Sequence, residues 1–206
     1  MNFIDDTAAS GESTNSKLLA TAAQLFWAKG FAATSTRELA EGLGIQKSSL
    51  YHHIKSKEDL LYEISIRSLD HIHQAVLGAI ATSSVEVRLQ AVIHAHLLTA
   101  LSERDMHATM LTELRSMSAD RRKDVLARRN GYERMLIEVV RVEQAAGRLR
   151  PDIDSHLATL ALLNLLNWTI FWYREDRGQT IAELADFFHS TFVHGNGVAI
   201  APGRNS

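Results

Sequence analysis

The stretch Ser48-Ser49-Leu50-Tyr51-His52-His53-Ile54-Lys55-Ser56-Lys57-Glu58-Asp59 packs three hydroxyls, a phenol, two imidazoles and two lysines into twelve residues. Such side chains can coordinate a metal, activate a nucleophile, or grip an anion. The chain has ten histidines. Three pairs are close in sequence: His52/His53, His71/His73 and His94/His96. Metal ligands on a helix sit best four residues apart, where both face one way. These pairs are one or two apart and point to different faces. The chain has no cysteine, which removes thiolate zinc sites and disulfides. Ser48 and His52 are four apart, but no acidic residue is placed to orient the imidazole and no oxyanion hole is suggested. We expect no catalytic residue, no metal and no cofactor. Anion binding remains.

The elements around the stretch decide which anion. The 206 residues are 46% hydrophobic and contain only two prolines. No alternating strand pattern is visible, so the expected fold is all-α, with about nine helices. Residues 1–15 read as a disordered tail, polar and acidic with little to bury. A first helix is expected from Ser16, with the apolar stripe Leu18, Ala22, Leu25 and Phe26 and a glycine cap at Gly30. Ser35-Thr36-Arg37-Glu38 reads as a capping box opening a short helix. Gly42-Leu43-Gly44 breaks that helix, and either glycine suits a left-handed turn. A second short helix covers about Lys47–His53. Ser56-Lys57-Glu58-Asp59 caps a long helix. Further helices are expected near 84–102, 105–117, 119–146, 154–174 and 180–194, before a flexible tail at 195–206. The boundaries are therefore 16–55 for a small head and 56–194 for a larger body.

Two short helices joined by a glycine turn form a helix-turn-helix. The second helix of such a motif lies in the DNA major groove and reads base edges from its N-terminus. Gln46, Lys47 and Ser48 occupy that position. Glutamine pairs with adenine, lysine donates to guanine, and serine is permissive. Tyr51, His52, Lys55 and Lys57 suit phosphate oxygens. The whole chain carries a formal charge of −2. Between Lys29 and Lys57, however, five basic residues face two acidic ones, a local excess of +3.

The sequence AAQLFWAKGFAATSTRELAEGLGIQKSSLYHHIKSKEDLL resembles the N-terminal domain of tetracycline-repressor-like (TetR-family) regulators over about residues 17–61. The resemblance implies an all-helical homodimer with a DNA-binding head and a ligand-sensing body. It places Gln46, Lys47, Ser48, Tyr51 and His52 on the recognition helix. It makes Arg37 a groove or phosphate contact, and Thr36 and Lys57 phosphate ligands. Many relatives carry a small residue where Gln46 stands, so its base preference does not transfer.

In the body, the helix at 154–174 is apolar nearly all round and needs two sets of neighbours. The run Leu157–Tyr173 is short for a membrane span and holds Thr159, Asn164, Asn167 and Thr169, so it reads as a buried helix. A homodimer would supply the second set of neighbours, and the family resemblance implies an intermolecular bundle of the last two helices. The Asn167-Trp168-Thr169 and Trp172-Tyr173-Arg174 segments resemble a subgroup regulating fatty-acid and steroid degradation. That implies an acyl-CoA-like or other apolar small-molecule effector. Candidate ligand residues are His94, Arg104, Met106, Met110, Leu114, Met117, Asn164, Trp168 and Phe171, with His96 and Arg115 as further anchors. Methionine at helical spacing also suits plain core. The basic run Arg121–Arg129 suits CoA phosphates or a solvated helix face. No signal peptide is visible, and the expected compartment is the cytoplasm. The expected function is a ligand-responsive repressor bound to a palindromic operator. The alternative is an effector-independent DNA-binding protein acting through a protein partner.

Overall fold

The computed structural model describes residues 7–195, with side chains from residue 15 onward. Among the described residues there are nine α-helices and no strand. They are α1 (Thr7–Lys29), α2 (Thr36–Leu43), α3 (Lys47–His53), α4 (Lys57–Thr82), α5 (Arg88–Ser102), α6 (Arg104–Thr112), α7 (Ala119–Ala145), α8 (Ser155–Trp172) and α9 (Ile181–His194). Single 3₁₀ turns at Val85–Val87, Leu114–Ser116 and Glu175–Arg177 shorten the flanking helices relative to the sequence expectation.

The largest difference at a helix end is at the start. α1 begins at Thr7, not near Ser16. No proline interrupts Thr7–Asn15, and once a helix is nucleated and packed downstream, adding turns costs little. Of the expected disordered tail, residues 1–6 lie outside the described residues. The expected C-terminal tail does too, apart from Gly195.

The chain divides into two compact units. One takes the chain up to Gln74 together with Thr99–Tyr132, and the other takes Ala75–Leu98 and the chain from Glu133 on. The first unit's core runs from Leu18, Leu19, Ala22, Ala23 and Phe26 of α1 through Leu39, Leu50 and Ile54. It continues into Leu60, Leu61 and Ile64 of α4, Met106 and Met110 of α6, then Met117 and Val125. One helix and two short ones, α1 to α3, present too little apolar surface to form a core alone, so α4, α6 and the start of α7 complete it. Arginines add polar ties within this unit. Arg121 pairs with Asp59, and Arg128 pairs with Asp70 at 2.8 Å. Those two members of the basic run therefore hold carboxylates of α4.

The second unit buries Leu89, Val92 and Ile93 of α5, Leu136, Val139 and Val140 of α7, Leu162, Leu166 and Ile170 of α8, and Leu184, Ala185 and Phe188 of α9. Asp154 caps α8 by accepting from the Leu157 amide, and Thr180 with Glu183 forms a capping box on α9. Tyr173 donates to the Gln179 carbonyl at 2.9 Å, which folds the turn between them.

Candidate nucleic-acid interface

α2 starts with the expected capping box. The Ser35 hydroxyl accepts from the Glu38 amide at 3.2 Å, and the Ser35 amide donates to the Glu38 carboxylate at 2.8 Å. The two glycines that follow do different work. Gly44, at φ +69°, makes the left-handed turn into α3. Gly42 lies within α2, where a Cβ would stand 2.9 Å from Cγ2 of Thr21 on α1. Its lack of a side chain lets α2 pack close against α1.

Leu50 is completely buried and Ile54 nearly so, and together they seat α3 in the core. The opposite face is open. Gln46 is the N-cap of α3 and makes no side-chain cap bond. Gln46, Lys47, Ser48, Tyr51 and His52 are all exposed, Tyr51 at 51%. The structure thus brings together on one surface the five residues expected to meet DNA on this helix. Thr36, at the start of α2, lies with its hydroxyl 3.4 Å from the Tyr51 phenol and couples the two helices.

The charge pattern follows from the pairing. Arg37 donates to Glu41 at 2.8 Å, and Lys29 pairs with Glu38 at 2.5 Å. Lys29, with the Ser35 amide and hydroxyl, holds the Glu38 carboxyl down to about 2. Both acidic groups of the head are therefore neutralised locally. The local excess falls to Lys47 and Lys55, which are exposed, and to Lys57.

Lys57 is only partly exposed, and its ammonium is engaged within the chain. It donates to the carbonyls of Phe31 at 2.6 Å and Thr34 at 2.7 Å, and lies 4.2 Å from the centre of the Phe31 ring. The residue expected to bind phosphate clamps the α1–α2 loop to the start of α4. Sequence reasoning did not single out Glu113, whose carboxylate accepts from the Phe31 amide at 3.1 Å. Eighty-two positions separate the partners, so no local pattern could reveal the contact.

A family model described as tetracyclin repressor-like, C-terminal domain matches residues 82–196, more than half of the chain. A second, described as bacterial regulatory proteins, tetR family, matches residues 18–64. The chain belongs to the TetR family. The second match spans Thr36 to Lys57 of the surface just described, and the chain is a TetR-family transcriptional regulator. Among the relatives, the HTH-type transcriptional repressor KstR2 of Rhodococcus jostii (strain RHA1) is 30% identical over 93% of this chain and 94% of its own. Among solved structures, the TetR-family regulator PfmR from Thermus thermophilus superposes with a TM-score of 0.81 at 34% identity. The superposition covers 88% of this chain and all of PfmR. AibR, solved with isovaleryl coenzyme A and operator DNA, gives 0.77 at 27% identity, over 85% of this chain and 96% of its own.

The nine residues expected to line a ligand site in this TetR-family chain are divided between the two units. Arg104, Met106, Met110, Leu114 and Met117 lie in the first, and His94, Asn164, Trp168 and Phe171 in the second. Met106, Met110 and Met117 belong to the core that seats α2 and α3, with Leu114 packed against it. His94 sits 2.7 Å from Asp186 on α9. Asn164, Trp168 and Phe171 are exposed. A cavity of about 240 Å³ within the second unit is lined instead by Leu149, Ile153, Leu157, Ala161 and Phe192, with Gln144 at its edge. Among the described residues no group of three or more metal-ligating side chains occurs, and no helix is long and apolar enough to cross a membrane. Members of two of the close histidine pairs lie in separate surroundings. His71 meets Glu103 at 2.8 Å and His94 meets Asp186, while His96 is buried.

Proposed function

We propose that this chain is a ligand-responsive repressor that binds a palindromic operator as a homodimer and is released by a small apolar ligand of the acyl-CoA class. The carrying observation is the open face of α3, Gln46-Lys47-Ser48, held rigid by a buried Leu50 and paired with no acidic neighbour among the described residues. Gln46, Lys47 and Ser48 meet base edges. Thr36, Arg37, Tyr51 and His52 meet phosphates, and Lys57 keeps one ammonium proton for the same purpose. The ligand class is supported by the likeness to AibR, which was solved with isovaleryl coenzyme A and operator DNA.

The dimer forms through α8 and α9. Leu157, Ala161, Trp168, Phe171 and Trp172 make one exposed stripe along α8, opposite the buried Leu162, Leu166 and Ile170. Leu157 is 62% exposed, Trp168 63%, and Phe187 of α9 58%. A contiguous apolar stripe of this kind marks an interaction surface. A two-fold partner covers it and delivers two heads to a palindrome. In this reading Asn164, Trp168 and Phe171 serve the dimer rather than the ligand, and Met106, Met110 and Met117 serve the core.

The test is fluorescence-anisotropy titration of the purified protein onto DNA selected from a random duplex library, with and without isovaleryl-CoA and longer acyl-CoAs. A selected palindrome whose binding is relieved by an acyl-CoA is expected. A protein that selects no sequence is not an operator-binding repressor. One whose binding is indifferent to every acyl-CoA, and which carries no co-purified small molecule in native mass spectrometry, is not ligand-responsive in this way.

A further inference from the structure

The α2–α3 pair is tethered to its unit at two places, the α1–α2 loop before it and the first turn of α4 after it. One short segment between α6 and α7, Glu113–Ser118, grips both. At the first tether, Oε1 of Glu113 accepts from the Phe31 amide at 3.1 Å. Gly30 lies against the same oxygen, which would stand 3.6 Å from a Cβ at that position. The other carboxylate oxygen is held by the Ser116 hydroxyl at 2.8 Å, which fixes the orientation of the carboxylate. Glu113 itself ends α6, its amide donating to the Thr109 carbonyl at 2.9 Å. At the second tether, the Ser118 amide donates to Glu58 in the first turn of α4 at 2.8 Å. Lys57 then joins the two tethers by binding the Phe31 and Thr34 carbonyls.

We propose that Glu113–Ser118 is the mount of the DNA-reading head, and that Glu113 is a positioning residue for sequence-specific DNA binding. The inference rests on the regulator reading above. Glu113 touches no DNA. It holds the Phe31 amide, and so sets the direction in which the chain enters α2. A hydrogen bond to an ionised acceptor is stronger than a neutral one and keeps its geometry better. Because Glu113 is the C-cap of α6, a displacement of that helix reaches the α1–α2 loop through this carboxylate. Base-edge contacts need placement to a fraction of an ångström, whereas phosphate contacts tolerate looser placement. Losing the mount therefore costs specificity before it costs general affinity.

The wild-type protein first selects its best duplex from a random-sequence library. If it selects none, the regulator reading fails and this proposal falls with it, before any variant is compared. Glu113→Ala and Glu113→Gln are then titrated onto the selected duplex and a scrambled duplex over a range of salt. Amide hydrogen exchange is followed at Phe31. Glu113→Ala should lose on the order of tenfold in affinity for the selected duplex. Its salt dependence on the scrambled duplex should be unchanged, because no phosphate-binding cation is removed. Phe31 should exchange faster. Glu113→Gln keeps an acceptor oxygen and should restore most of both losses. The milder Ser116→Ala, which leaves Glu113 in place, should lower specific affinity by about threefold. Two results overturn the proposal: wild-type specific affinity in Glu113→Ala or Ser116→Ala, or an equal loss on both duplexes, as a partly unfolded head would give.

Discussion

Single side chains in the head divide into those that face outward and those that hold the outward ones in place. Gln46 and Lys57 show the two cases, although sequence reasoning placed both at the DNA. Gln46 makes no bond to its own helix, so Gln46→Ala should change unfolding stability by no more than about 0.5 kcal/mol while altering the selected sequence. Lys57→Met should weaken binding to every duplex and also destabilise the fold by about 1–2 kcal/mol, because two hydrogen bonds from a charged donor are lost. Urea unfolding beside DNA titration separates the two variants, and a Lys57→Met protein of wild-type stability would refute the clamp. Glu38 adds a pH dependence. Its carboxyl is held at about 2, below its ordinary 4.5. A depressed carboxyl contributes stability above its unfolded pKa and loses that contribution as pH falls through the window from about 4.5 to about 2. Circular dichroism across that window should show a component of acid unfolding in the wild type that is absent from Glu38→Gln.

At the scale of elements, helix propensity and packing disagree at Gly42. Propensity alone favours alanine inside α2 by about 1 kcal/mol. The Cβ would stand 2.9 Å from a methyl of Thr21, a stiff β-branched side chain that cannot swing away cheaply. Gly42→Ala should therefore destabilise the protein by about 1 kcal/mol net. The double variant Thr21→Ala/Gly42→Ala should recover that loss and more. Thermal unfolding of the four members of the cycle measures the coupling, and strict additivity would show that the close approach of α1 and α2 is not what requires glycine. The cap on α2 was legible because a capping box is a local pattern of four residues. The start of α1 was not, because nothing local marks where a helix stops extending.

At the scale of the molecule, a single chain leaves one side of α8 uncovered. Trp168→Arg should place a charge in the middle of the proposed dimer face. The expected result is a monomer by native mass spectrometry, with helical content retained and operator affinity lowered, since one head reads only half of a palindrome. A Trp168→Arg protein that stays dimeric would move the dimer elsewhere. The apolar composition of this helix showed in the sequence that it needs neighbours on more than one side. It did not show which side this chain covers itself.

What the sequence determined by itself was whatever is encoded over a few residues. It settled the all-helical class, most helix ends, the capping box of α2, the glycine turn, and the two short helices around that turn, the second opening at Gln46-Lys47-Ser48. Each depends on hydrogen bonds and periodicities that span at most one or two helical turns. Tertiary structure alone decided that Lys57 faces the Phe31 and Thr34 carbonyls. It also decided that Glu113 holds a loop eighty-two residues away, and that Met106, Met110 and Met117 fill the core of the head. A side chain's type states which partners it can take. Only the fold brings one of them within hydrogen-bond or van der Waals reach.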